Sequence, residues 1–238
     1  MSDTLQFALI LIPCLVIAIV FHEVAHGYMA KALGDNTASE RGRLTLNPIP
    51  HVDPVGTLLV PGALALFGGP VFGWAKPVPV VARRLRNPRF GMMAVAAAGP
   101  GINFVLAAVG AVVFGLIGGM ETLDGQNSFG ALILLDASGE MAVAATAVFY
   151  FILLNLFLGM FNLLPIPPFD GSHIVGGLLP ANLRVHWVKL QQIGMVLILG
   201  VIAVSWVFGT GWIAQVIGPP VEYMLDAFLT LSSAVSGG

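Results

Sequence analysis

Four stretches of the chain, about 5–33, 90–119, 141–164 and 188–217, are long and apolar enough to cross a hydrocarbon core. A helical crossing takes roughly 20 residues. A fifth stretch, 54–75, also lacks charge, but its composition is wrong for a plain span. Pro54, Pro61 and Pro70 interrupt a helical ladder, and Gly56, Gly62, Gly68, Gly69 and Gly73 loosen what remains. Apolar residues then recur through Val78, Pro79, Val80 and Val81. The pattern predicts a re-entrant, partly β-like element over 55–81, shielded by protein because irregular backbone cannot face lipid. Residues 219–233 read as a short amphipathic helix at the outer interface. The expected fold is an all-α polytopic membrane protein with about four to five transmembrane helices. The re-entrant β-like element falls between the first two core helices. A single domain is expected over 1–238, with its core at about 5–200.

Composition supports that solvent. Of 238 residues, 57% are hydrophobic and 9% charged, against about 25% charged in a soluble domain. A net charge of −2 argues against nucleic-acid binding, which needs a clustered basic face. The first four residues carry no basic leader, so the first apolar stretch reads as a retained helix. Cys14 is the sole cysteine, which excludes disulfides and Cys₂ or Cys₄ zinc sites. If 55–81 dips in and returns, every Lys and Arg falls on one side, from Lys31, Arg41 and Arg43 through Lys76 and Arg83 to Lys189. The 120–140 loop opposite holds Glu121, Asp124, Asp136 and Glu140 and no basic residue. The positive-inside rule then puts the N-terminus outside and the basic side in the cytoplasm.

The chemistry is concentrated in His22-Glu23-Val24-Ala25-His26 on the first apolar helix. Positions four apart share a helical face, so both imidazoles can reach one Zn²⁺. Glu23 flanks the metal, where it can take a proton from water. The bland alternative is two histidines satisfied by neighbouring helices with Glu23 as counter-charge. Three ionisable groups within five positions of a span are costly, however, and such groups mark function. A catalytic zinc needs a third protein ligand. Asp170 is favoured, because Pro165, Pro167 and Pro168 force an extended approach to it and Gly171 allows an unusual backbone angle. It could instead be a turn or N-cap residue, and His173 could compete as ligand or act as a transition-state donor. His51, Asp53 and His186 read as structural or solvated.

The chain resembles the site-2 protease family of zinc-dependent intramembrane proteases. His22, Glu23 and His26 match its HExxH, and Asn162, Pro165, Asp170 and Gly171 match its NxxPxPxxDG. Gly99-Pro100-Gly101-Ile102-Asn103 is similar to its GPxxN stretch. The segment from Gly42 to Pro54 is similar to the compact prokaryotic branch without PDZ or CBS domains. Phe169 stands where the family usually has Leu. The resemblance implies one Zn²⁺ per chain held by His22, His26 and Asp170, with Glu23 as general base. It also raises Asn103 and Asn162 from interhelical hydrogen-bond glue to substrate or oxyanion contacts. The implied substrate is a transmembrane segment of another membrane protein. The implied setting is a prokaryotic inner membrane, with the site opening toward the cytoplasm. A zinc transporter or metal sensor is the rival reading. It would line a path with acidic or His sites at several depths, whereas here they converge on one.

Overall fold

The computed structural model describes residues 3–66, 73–126 and 131–237. Helix α1 (Asp3–Ala32) carries the HExxH motif. It leads through the single turn α2 (Thr37–Glu40) to a wide π-type turn at Pro54–Leu59 and the short α3 (Val60–Leu66). Asp53 caps that π-type turn, accepting from the N–H groups of Val55 and Gly56 at 2.9 and 2.8 Å. The chain then runs extended from Gly73 to Val81 and enters α4 (Pro88–Leu116). The start of α4 follows from Asn87, whose side chain accepts from the N–H groups of Arg89 and Phe90, with Pro88 at the first helical position. Gly118, at φ 72°, turns the chain out of it. Strands β1 (Leu123–Gln126) and β2 (Leu132–Leu135) pair antiparallel, Leu123 facing Leu135 and Gln126 facing Leu132. Four helices follow: α5 (Val143–Asn162), α6 (Asp170–Leu178), α7 (Ala181–Gln192) and α8 (Gly194–Phe208). The last is α9 (Trp212–Ser236).

Helix α4 is the hub, packing against α1, α5, α6 and α9. Its Ala107, Ala111 and Gly115 recur every four residues along one buried face. Small side chains let neighbouring backbones close in, which is how helices associate in lipid. A Cβ on Gly110 would sit 2.8 Å from Ile152 of α5, and one on Gly115 would strike the Ser232 carbonyl of α9. Phe114, Phe149, Ile152 and Leu156 fill the core between α4 and α5, and Ile217 and Val221 add to it from α9. Meanwhile Leu9, Ile12, Val105 and Val109 point outward. In water such exposure would be unfavourable, and in lipid it is the expected outer surface.

Among the described residues, three helices are long and apolar enough to cross a membrane: Leu5–Ala32, Pro88–Leu116 and Val143–Asn162. They match three of the four expected spans. The fourth, 188–217, is broken: α7 and α8 meet at a 62° bend across Ile193, so together they form a bent span or a re-entrant pair. Residues 55–81 differ from the β-like expectation. The chain is helical over 54–66, and 73–81 is extended but pairs with no strand among the described residues. Residues 67–72, including Pro70, lie outside the described residues. The prolines break a long helix, as anticipated, but a π-turn and a short helix absorb them. The sheet forms instead in the loop after α4, where Leu132–Leu135 was not read as a strand. The helix expected at 219–233 is also longer than the pattern suggested, and one of its faces is buried against α4 and α5.

Candidate metal centre

His22 and His26 lie one turn apart on α1, both buried, and their Nε2 atoms are 3.0 Å from each other. Asp170 is the first residue of α6, following Phe169 in an extended conformation at ψ 159°. Its Oδ2 is 3.1 Å from His22 Nε2 and 3.3 Å from His26 Nε2. The other face of each ring meets a group that can only accept a hydrogen bond. His22 Nδ1 is 2.7 Å from the Asn103 amide oxygen, and His26 Nδ1 is 2.7 Å from the Val95 carbonyl. In its neutral form each ring therefore carries its proton on Nδ1 and turns a bare Nε2 lone pair inward, as metal binding requires. The short approach between the two Nε2 atoms is then not a hydrogen bond. Asp170 Oδ2 is likewise buried without a hydrogen-bond donor. Three lone-pair atoms facing one another repel unless a cation lies between them. For a tetrahedral ion with ligand bonds of about 2.0–2.1 Å, ligand atoms stand roughly 3.3 Å apart. The observed separations of 3.0, 3.1 and 3.3 Å fit that ion. These side chains form a group able to hold a metal ion among the described residues.

Local sequence explains the convergence. A Cβ on Gly99 of α4 would lie 2.5 Å from His26 Cε1 and Nε2 and 2.6 Å from His22 Cε1, so only glycine lets α4 approach the imidazole pair. Asn103, one turn on, reaches His22 from behind. Gly171 has an ordinary backbone angle, which corrects the expectation drawn from its conformational freedom. Its requirement is steric, because a Cβ there would strike the carbonyls of Leu163 and Leu164. That contact brings α6 against the end of α5 and delivers Asp170 to the centre.

A cavity of about 470 Å³ opens beside the three ligands. Glu23, Trp74, Val78, Asn162 and His173 line it. Glu23 Oε2 accepts from the Val78 N–H at 2.8 Å, which ties the carboxylate to the extended segment. That segment is anchored on one side, Trp74 N–H donating to Gly56, Lys76 N–H to His51 and Val81 N–H to the buried Asp35. Burial pushes the Asp35 carboxyl up, but hydrogen bonds from Thr37 and Val81, with Arg84 nearby, hold it below the ordinary carboxylate range. Among the less certain site residues, Asn162 donates to Leu158 within its own helix at 3.0 Å. His173 lies 3.3 Å from Gln191 Nε2, and burial holds its imidazole below the usual histidine range. It is not part of the ligand cluster. Asn103 is fully buried behind His22 and is not among the cavity-lining residues; its amide oxygen faces the His22 ring. Sequence reasoning noted Gly99 only as part of a motif and missed its steric role, along with the Val95 carbonyl and the Val78 N–H. The glycine was visible as a small residue one turn before Asn103, and the two backbone groups left no trace.

A helical membrane architecture with an HExxH pair and a distant aspartate around one centre defines a membrane metallopeptidase. The model for peptidase family M50 matches residues 10–204, and the chain belongs to that family, the site-2 proteases. It is 36% identical over 245 aligned positions to a Bacillus subtilis (strain 168) protein named "Putative zinc metalloprotease YwhC". The alignment covers 99% of this chain and 98% of that protein. No solved structure matches the chain.

Proposed function

We propose that the protein is a zinc-dependent intramembrane endopeptidase that cleaves a peptide bond in or near a transmembrane segment of another membrane protein. The observation that carries the reading is the position of the centre well inside a helix long and apolar enough to cross a membrane. His22 lies ten residues before the Ala32 end of α1, about 15 Å along the axis at 1.5 Å per residue. A hydrocarbon core is about 30 Å thick. His22, His26 and Asp170 would hold the ion, which when bound would supply the Lewis acidity that activates water and polarises a carbonyl. Glu23 takes the proton of the attacking water on the carboxylate oxygen not held by Val78 and passes it to the leaving amine nitrogen. Asn162 keeps one amide hydrogen beyond its bond to Leu158. With His173, which lines the same cavity, it is the candidate donor to a substrate carbonyl oxygen.

A helical substrate must unwind to expose its bond. The 73–81 segment offers an extended edge along the cavity, against which the unwound strand can lie by main-chain pairing. Pro77 and Pro79 have no N–H to donate, so that edge presents mostly carbonyls to the incoming chain. A second cavity of about 540 Å³, lined by Arg89 and Arg184, shares Met92 and His173 with the first. It gives water a route from the basic side, which the Lys and Arg distribution assigns to the cytoplasm. The test is incubation of purified enzyme with a panel of single-span proteins in detergent. Cleavage is expected to stop with a zinc chelator, to return with zinc, and to be absent in Glu23→Gln that retains zinc. Zinc flux into proteoliposomes without proteolysis would instead favour a transporter.

A further inference from the structure

Asn155 lies fully buried in the middle of α5, outside the walls of both cavities that meet at His173. Its Nδ2 donates to the Phe151 carbonyl at 2.8 Å, one turn back on the same helix. A carbonyl can only accept, so this bond decides which way the amide is turned and aims Oδ1 at α4. There Oδ1 accepts from Asn103 Nδ2 at 2.9 Å, and the same Nδ2 donates to the Ala18 carbonyl of α1 at 3.2 Å. With both of its hydrogens engaged, Asn103 is left with only its amide oxygen for His22 Nδ1. His22 must then carry its proton on Nδ1 and offer Nε2 to the centre.

We propose that Asn155 is a positioning residue of the metal centre. It is the outer member of a two-amide chain linking α5, α4 and α1, whose polarity is set by the Phe151 carbonyl and which selects His22 Nε2 as the ligand atom. The inference rests on His22 being a metal ligand. Partners behind a ligating histidine commonly change metal affinity by about 10- to 100-fold. Asn155 acts at one remove, and Asn103 retains its bond to Ala18, so the expected effect is at the low end.

The experiment uses the full-length protein in detergent. Zinc affinity is measured by chelator competition, the visible spectrum is recorded for the cobalt-loaded form, and melting of the metal-free form is followed separately. Asn155→Leu should bind zinc about tenfold more weakly, with a displaced cobalt spectrum. Asn155→Asp should restore both, because a carboxyl kept neutral by burial donates to Phe151 and accepts from Asn103 as the amide does. Should Asn155→Leu fail to fold, Asn155→Ser replaces it. Its hydroxyl can bond back to the Phe151 carbonyl four residues earlier but is too short to reach Asn103. Lower melting with wild-type zinc affinity and cobalt spectrum would reduce Asn155 to interhelical glue and overturn the proposal. His22→Ala is the control: wild-type zinc affinity in that variant would remove the ligand assignment itself, and the proposal with it.

Discussion

Gly99→Ala adds one methyl group to the protein, and the structure says where that group goes. Its Cβ would come 2.5 Å from His26 Nε2 and 2.6 Å from His22 Cε1, about 1 Å inside ordinary carbon contact. Either α4 moves away from α1 or the rings turn. The first choice stretches the 2.7 Å bonds from the two Nδ1 atoms to Asn103 and Val95, and the second separates the Nε2 pair. Overpacking of this kind costs about 1–3 kcal/mol. Because the clash falls on the ligand atoms themselves, most of that cost should appear in metal binding. At 1.4 kcal/mol per tenfold, zinc affinity should drop by roughly 5- to 150-fold. Gly101→Ala is the internal control, on the same helix with nothing within 4 Å of its Cβ. It should keep wild-type zinc affinity and gain slightly from helix propensity. Chelator competition on both purified variants makes the comparison. Equal zinc affinity in Gly99→Ala and Gly101→Ala would refute the claim that α4 is pressed against a metal-binding imidazole pair.

Glu23→Gln should retain near-stoichiometric zinc and lose at least about 100-fold in cleavage rate, the usual contribution of a positioned general base; metal content and turnover on one preparation decide it. Asp170→Ala should lose most zinc after dialysis while His173→Ala keeps it, and the reverse ranking would move the third ligand to His173. The lowered pKa of Asp35 means that its contribution to stability is present above the unfolded carboxylate range, about 3.9, and is lost as pH falls through the depressed folded value. Asp35→Asn should therefore cost about 1.5–3 kcal/mol near neutral pH, with the gap closing in melts below about pH 4. Ser39→Cys and Arg86→Cys, both at exposed positions, in a Cys14→Ala background, should both resist an impermeant maleimide in intact cells. Labelling of the first alone would mean that 54–75 crosses the membrane.

The helices that carry chemistry were legible because their signals are local. Four-residue spacing puts His22 and His26 on one face whatever surrounds them, and three prolines keep the approach to Asp170 out of helix, although the chain there runs through bends and turns and is extended only at Phe169. The tertiary devices were not. The bend at Ile193 falls where the polar end of α7, with Lys189, Gln191 and Gln192, meets the apolar α8, a change of character that the span expected at 188–217 ran across. The 54–66 stretch, with Pro54 and Pro61, reads as irregular, yet it forms a π-turn capped by Asp53 and a short helix. The resemblance raised Asn103 from interhelical glue to a substrate or oxyanion contact; the partner of its amide oxygen, a histidine 81 residues earlier, is settled only by the packing of α4 on α1. Gly171 shows the same limit. Its importance was visible, but the reason is a close approach to Leu163 and Leu164 rather than a backbone angle.

The central claim concerns where the scissile bond lies. Products from a cleaved single-span protein, analysed by mass spectrometry, give the new termini directly. Termini within the hydrophobic segment or a few residues from its end, produced by the zinc-loaded wild type and absent with Glu23→Gln, are the result predicted here. Termini confined to soluble loops or domains far from the segment would contradict an intramembrane peptidase, even if the cleavage were zinc-dependent.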